Sequence, residues 1–515
     1  MRMTRWYAMP ESPPDPAEHL RTDHLYDDLV GRSVRGGAVT AIAQFAKMAI
    51  QFGAVVLLAR LVAPEAFGLV AMVAAVLAFF ELFRDLGLSM ATVQRPTITH
   101  EEVSALFWVN TAVCALVFAV ICALAPALTM FYGREELMPI AIWLGFGVAI
   151  GGLATQHIAI LRRQMRFAAL SAAEVGAAVI GIIAAIGVAM NGGGLWALVA
   201  QRIAWSAALT ALSWSLCGWR PSPPTRGVGT RRLLVFGGNI TLASIVNLAA
   251  RNLDQVLIGW WWGAVPLGFY ERANRLLMAP IQNVNTPLMA IAMPMLSRLV
   301  DKPDRYRAAY LRVLEGVCMV SMPAAALLIA APDWTVAVLL GPQWAGAAGI
   351  VMWLGVAALY QPATNTTGWL FVTQDRTGEL VRWSIAGSAL RIAAVVAGLP
   401  YGAEAVAAAF AVSGLVLCLP LLFHMVGRTG PVRGRDLYAA LAPSALVSAV
   451  VFCAVYGART VPGLMPADPL SALGAAFLIA AIASLLGFAG LPRSRRAMHG
   501  ALALRSVLFG SGARP

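Results

Sequence analysis

The amino-acid sequence predicts an all-α polytopic membrane protein of about fourteen transmembrane helices. Composition and periodicity carry this reading. The 515 residues are 59% hydrophobic and 12% charged, with a mean hydropathy of +0.74, and that charge is about half of what a soluble domain carries. The apolar residues recur in blocks of about 20, long enough to cross ~30 Å of hydrocarbon as helices. Runs such as 467–490 show none of the in–out alternation that a barrel strand requires.

The elements follow in order. Residues 1–35 form a polar tail, expected to be cytoplasmic, in which Pro10, Pro13, Pro14 and Pro16 stand among acidic residues. It has no apolar h-region of a secretory signal. Spans are expected at 36–59, 66–83, 104–130, 138–160, 168–190 and 195–217, an N-lobe covering 36–217. A basic inter-lobe loop, 218–232, leads to a C-lobe, 233–426, with spans at 233–257, 275–297, 308–330, 345–370, 383–399 and 403–426. Residues 427–490 add a loop and two further spans, 437–456 and 467–490, before a basic tail, 491–515.

Charge between the spans orients them. The tails and even-numbered loops hold 28 Lys and Arg, whereas the odd-numbered loops hold only Arg60, Arg134 and Arg459, besides Arg272 at the approach to the eighth span. Positively charged loops stay on the cytoplasmic side, so both termini are expected in the cytoplasm of a cell inner membrane. The net charge of +13 is then a topology signal, and no nucleic-acid partner is expected. Trp260, Trp261 and Trp262, in an outer loop, read as part of an interfacial aromatic belt.

The chain also repeats itself at a period near 200. Phe67-Gly68-Leu69 opens the second span as Leu267-Gly268-Phe269 precedes the eighth, and Trp143-Leu144-Gly145 recurs as Trp353-Leu354-Gly355. Gln164 and Arg166 are paralleled by Gln374 and Arg376. Two six-span halves of the same orientation are parallel repeats, and transporters built this way bind substrate between them.

Absences exclude several classes. A phosphate-cradling GxxxxGK[ST] loop needs a lysine, and neither Lys47 nor Lys302 sits in one. The six histidines lack ligand spacing, the six cysteines form no CxxC, and no aspartates stand at i and i+2. No catalytic residue, metal or cofactor is expected, and the cysteines read as inert buried thiols.

What remains is polarity inside the spans, where charge is costly and usually functional. Gln44, Lys47 and Gln51 share one face of the first span. Asn247, Arg251, Asp254 and Gln255 make a similar stripe on the seventh, with Lys47 equivalent to Asn247 and Gln51 to Arg251. Arg272 and Arg275 follow on the eighth, and Arg202, Arg312 and Arg391 lie within other spans, against the fewer acids Glu174, Asp254 and Glu315. A net-basic lining suits an anionic headgroup, and arginine suits phosphate through its bidentate fork. Lys47, Gln51, Asn247, Arg251 and Arg275 are therefore the candidate substrate-binding residues, and Asp254 and Glu315 the candidates for a coupling ion. The alternative is that each charge is paired locally, Arg251 with Asp254 and Arg312 with Glu315, or snorkels to an interface.

Segment 54–110 carries a resemblance. Phe83-Arg84-Asp85-Leu86-Gly87-Leu88, then Gln94-Arg95 and Leu106-Phe107-Trp108, resemble the polysaccharide exporters of the multidrug/oligosaccharidyl-lipid/polysaccharide superfamily, in the branch of colanic-acid and teichuronic-acid exporters. The likeness is looser over 111–426, and the last two spans match in type only. It implies a flippase, not an enzyme, that moves undecaprenyl-pyrophosphate-linked oligosaccharide from the inner to the outer leaflet by alternating access of two lobes. Its product would serve lipopolysaccharide or exopolysaccharide synthesis, with a polysaccharide polymerase and chain-length machinery as partners. Arg84 and Asp85 match the family motif, as a structural ion pair at the cytoplasmic end of the second span or as a gate. Lipid II flippase relatives have a basic cavity, but no motif carries its arginines onto this chain. A drug exporter of the same superfamily, or a membrane polymerase or glycosyltransferase, is the alternative. A net-basic lining argues against the first, and the shortness of the outer loops against the second.

Overall fold

The computed structural model describes residues 29–85, 87–95, 97–223 and 252–491. These residues are helical with no strand among them, and eleven of their helices are long and apolar enough to cross a membrane. The chain is a multi-pass membrane protein.

In the N-terminal half, α1 (Leu29–Leu61), α2 (Pro64–Glu81), a short α3 (Leu88–Gln94), α4 (His100–Tyr132), α5 (Leu137–Gly152), α6 (Thr155–Arg163), α7 (Phe167–Met190) and α8 (Trp196–Cys217) follow one another. Local chemistry sets several of their ends. The Thr99 side chain accepts from the Glu102 amide while Glu102 reaches back to the Thr99 amide, a capping box that starts α4. Gly133, at φ 66°, ends it. The fourth expected span is two helices, because the chain turns at Leu153–Ala154 between α5 and α6.

The C-terminal half contains α9 (described over 252–262), α10 (Ala264–Ser297), α11 (Pro303–Ala330), a short α12 (Pro332–Leu339), α13 (Ala348–Thr373), α14 (Thr377–Gly398), α15 (Ala403–Ser413) and α16 (Leu419–Arg428). A π-helical segment, Gly414–Cys418, joins the last two. The appended pair, α17 (Gly434–Thr460) and α18 (Pro469–Gly490), packs on α11 and α12.

Two boundaries differ from expectation. The first helix starts at Leu29, inside what reads as tail, because Gly36 and Gly37 are tolerated once turns form on both sides. The eighth element starts at Ala264 and not near 275. Glu271, Arg272, Asn274 and Arg275 depress its hydropathy without breaking its helix, since Glu271 pairs with both arginines. For the same reason α8 and α10 are long helices that miss the apolar criterion for a span. Residues 1–28, 224–251 and 492–515, with most of the seventh expected span, the inter-lobe loop beyond 223 and both tail ends, lie outside the described residues.

The halves meet at a crossing of α2 on α10. A Cβ at Gly68 would collide with the carbonyl of Ala264, and one at Gly268 with the carbonyl of Pro64. The contact is reciprocal at an offset of 200, as in an isologous interface, and it gives the sequence repeat a physical counterpart. Trp344, fully buried, closes the same end: its Nε1 donates to the Ala59 carbonyl at 2.7 Å, and its ring meets Phe67 and Phe269 edge-on at 5.3 and 6.0 Å. One buried apolar cluster runs from α1 and α2 through α5 to α10, Trp344 and α13.

Candidate functional site

Beyond this crossing the halves part around a cavity of about 740 Å³. Its walls come from α1, α2, α5, α7 and α8 on one side and α9 and α10 on the other. Lys47, Gln51 and Arg275, three of the residues singled out in the sequence, line it together with Arg202, Arg272, Glu81 and Glu271. Lys47 and Gln51 share a face because four residues make about one helical turn.

Each lining cation has an acid beside it. Lys47 Nζ lies 2.7 Å from Glu174 Oε2, joining α1 to α7. Arg202 on α8 pairs with Glu81 at the end of α2, and its guanidinium lies 5.3 Å over the ring of Trp205. Glu271 uses both oxygens, one for Arg272 Nε at 2.7 Å and the other for Arg275 Nε at 2.8 Å. Arg272 is 8% exposed, so it does not snorkel to an interface; it stacks 4.1 Å over Phe67, next to the Gly68 crossing. Four cations against two carboxylates in the wall, with Glu174 behind Lys47, leave it net basic among the described residues.

Other expected positions fall elsewhere. Asn247 and Arg251 lie outside the described residues. On α9, Asn252 and Gln255 face the cavity, whereas Asp254 is not in its wall. Asp254 accepts the Tyr270 hydroxyl at 2.7 Å, since residue 254 sits about 200° round the helix from 252. Glu315, half-buried on α11, is also outside the wall. Arg84 and Asp85 form no ion pair with each other among the described residues. Asp85 instead accepts the backbone amide of Ser89 at 2.9 Å and its hydroxyl, anchoring the first turn of α3, while Arg84 lies against Gly151. Adjacent side chains on a tight turn diverge, which keeps the two apart.

Sequence reasoning missed Glu81, Glu271, Trp205, Asn252 and Asn274. The signal for the acids was present, since Glu81 closes an apolar span and Glu271 stands beside two arginines. Reading the eighth span as starting at 275 left Glu271 in a loop.

A polytopic helical membrane protein with a charged cavity between its halves is the class these features define. The chain belongs to the polysaccharide biosynthesis protein family, whose pattern matches residues 57–349, more than half of it. It is 25% identical over 308 residues to the teichuronic acid biosynthesis protein TuaB of Bacillus subtilis, covering 59% of this chain and 64% of TuaB. The chain thus spans a little under two thirds of that relative. It is 21% identical to the lipopolysaccharide biosynthesis protein WzxC of Escherichia coli, over 71% of this chain and 75% of WzxC. To the succinoglycan biosynthesis transport protein ExoT of Rhizobium meliloti it is 27% identical, over 60% and 62%. Among solved structures, the lipid II flippase MurJ in an inward closed conformation superposes with a TM-score of 0.70 at 13% identity, covering 87% of this chain and 98% of MurJ. An inward-facing MATE-family multidrug transporter gives 0.57 at 13%, over 79% and 98%. These two likenesses are of fold.

Proposed function

We propose that this protein is a flippase for lipid-linked sugar, carrying undecaprenyl-pyrophosphate-linked oligosaccharide from the inner to the outer leaflet of the cell inner membrane. The observation that carries the reading is the net-basic cavity between the halves of a chain that belongs to the polysaccharide biosynthesis protein family. Names among its relatives support it: a polysaccharide transport protein and two proteins of surface-polymer synthesis. Lys47, Gln51 and Arg275, with Asn247 and Arg251 by the repeat, hold the pyrophosphate, and the lipid tail stays in the bilayer. A net-basic wall disfavours the cationic solutes of drug exporters.

Both termini are cytoplasmic in this reading, so the Gly68–Gly268 crossing lies at the outer end and the cavity faces inward. Transport is the rocking of an N-lobe, 36–217, against a C-lobe, 233–426, with 427–490 appended; no bond is made or broken. A coupled counter-ion resets the empty carrier, with Asp254 and Glu315 as its proposed ligands. A polymerase and its chain-length machinery take the product outside.

Deleting the gene should leave completed lipid-linked oligosaccharide on the cytoplasmic leaflet, inaccessible to an external lectin. Reconstituted protein should expose it without ATP. Shortened or unassembled sugar chains in the deletion strain would instead make the protein an assembly enzyme and overturn the proposal.

A further inference from the structure

The four ion pairs at the cavity differ in a way that assigns them different work. Glu271 commits both oxygens, and Glu271 and Arg272 are only 10% and 8% exposed. With Arg272 stacked on Phe67 beside the helix crossing, Glu271 and Arg272 are framework, while Arg275, 59% exposed, is the member of this group left open. The other two pairs each use one carboxylate oxygen and are more exposed: Lys47 and Glu174 are 24% and 29% exposed, Arg202 and Glu81 46% and 35%, with Lys47, Arg202 and Glu81 in the cavity wall and Glu174 behind Lys47. Both lie on the N-terminal half, and both join different helices, α1 to α7 and α8 to α2.

A phosphate group entering this space meets cations whose charge is already matched. It offers more acceptor oxygens than a carboxylate and fits a guanidinium bidentately, so it competes for Lys47 and Arg202 and does not simply add to them. The displaced carboxylates then face the bound anion at short range, where like charges raise the energy of the loaded state.

Building on the phosphate-binding reading of the cavity, we infer that Glu174 and Glu81 are resident counter-anions. They hold Lys47 and Arg202 in place while the cavity is empty, are exchanged for phosphate oxygens on loading, and by their repulsion limit affinity so that the headgroup is released. They are specificity-determining residues that bind no substrate themselves. Trp205, under the Arg202 guanidinium, keeps that side chain at the wall when its carboxylate partner leaves.

Binding of farnesyl pyrophosphate, a short lipid pyrophosphate, to the purified full chain in nanodiscs tests this. Glu174→Gln and Glu81→Gln should each tighten binding by several-fold, up to roughly tenfold, while slowing export in cells. Lys47→Gln and Arg202→Gln should weaken binding. In the double variant Lys47→Gln/Glu174→Gln the gain from the glutamate change should vanish, and this variant also serves where Lys47→Gln alone does not accumulate. Unchanged or weaker binding in both glutamate variants, with Lys47→Gln still weakened, would overturn the counter-anion role and leave the phosphate site intact. Equal binding in wild type and all four single variants would remove the phosphate site itself.

Discussion

Arg202 shows what a single side chain contributes here. Its guanidinium is held by a carboxylate on one side and an indole face on the other, a geometry available to a planar delocalised cation and not to an ammonium. Arg202→Lys should therefore retain the charge yet lose the stacking. Export should fall several-fold with normal membrane accumulation, and Arg202→Gln should fall further; equal export in Lys and wild type would show that charge alone suffices. The sequence marks Arg202, Lys47 and Glu174 as charges within apolar spans, because each such charge is conspicuous against its neighbours. It does not say which acid meets which cation. Lys47 and Glu174 are separated by 127 positions and Arg202 and Glu81 by 121, so only the packing of α1 on α7 and α2 near α8 decides the pairing. Arg84 and Asp85 are the opposite case: of the two roles the motif allows, an ion pair between them is not formed, because the turn into α3 separates these neighbours.

At the scale of the element, α2 and α10 cross through glycine because nothing larger fits between their backbones. Gly68→Val and Gly268→Val should each force the crossing apart. With cysteines placed at Ala59 and Gln343 in a background without native cysteines, disulfide formation should fall markedly in both variants, since Gln343 Nε2 donates to the Ala59 carbonyl in the closed arrangement. Undiminished cross-linking would show that the crossing can absorb a side chain. The capping box of α4 is a smaller case. Thr99→Ala should cost about 1 kcal/mol, read as a lower melting temperature in detergent with little effect on binding. Apolar blocks, with glycine and proline between them, predict which segments are helices. They misplace the start of α10, because four polar residues in a helix that lines a cavity look like a loop when only hydropathy is weighed.

For the whole molecule, the division of loop charge predicts an orientation that impermeant thiol labelling can check. Cysteines at Asn191 and Lys302, both exposed, suit the test better than sites such as Arg163, which is buried and donates to the Thr92 carbonyl. In intact cells Asn191→Cys should label and Lys302→Cys should not; the reverse would invert the orientation and with it the direction in which the cavity opens. The internal repeat was legible as a series of short matches in order, and its reciprocal contact at Gly68 and Gly268 shows why those glycines recur. The crossing also has a mechanical consequence. From Gly68 to Glu81 is about 20 Å along α2, so a tilt of about 10° at the crossing moves the far end by about 3.5 Å and the near end hardly at all. Widening the cavity mouth is thus a swing about a pivot that stays intact, whereas opening the other end means breaking the pivot. In the proposed transport cycle the opening that breaks this contact is then expected to be the slower one, held back by the packing of Gly68, Gly268 and Trp344.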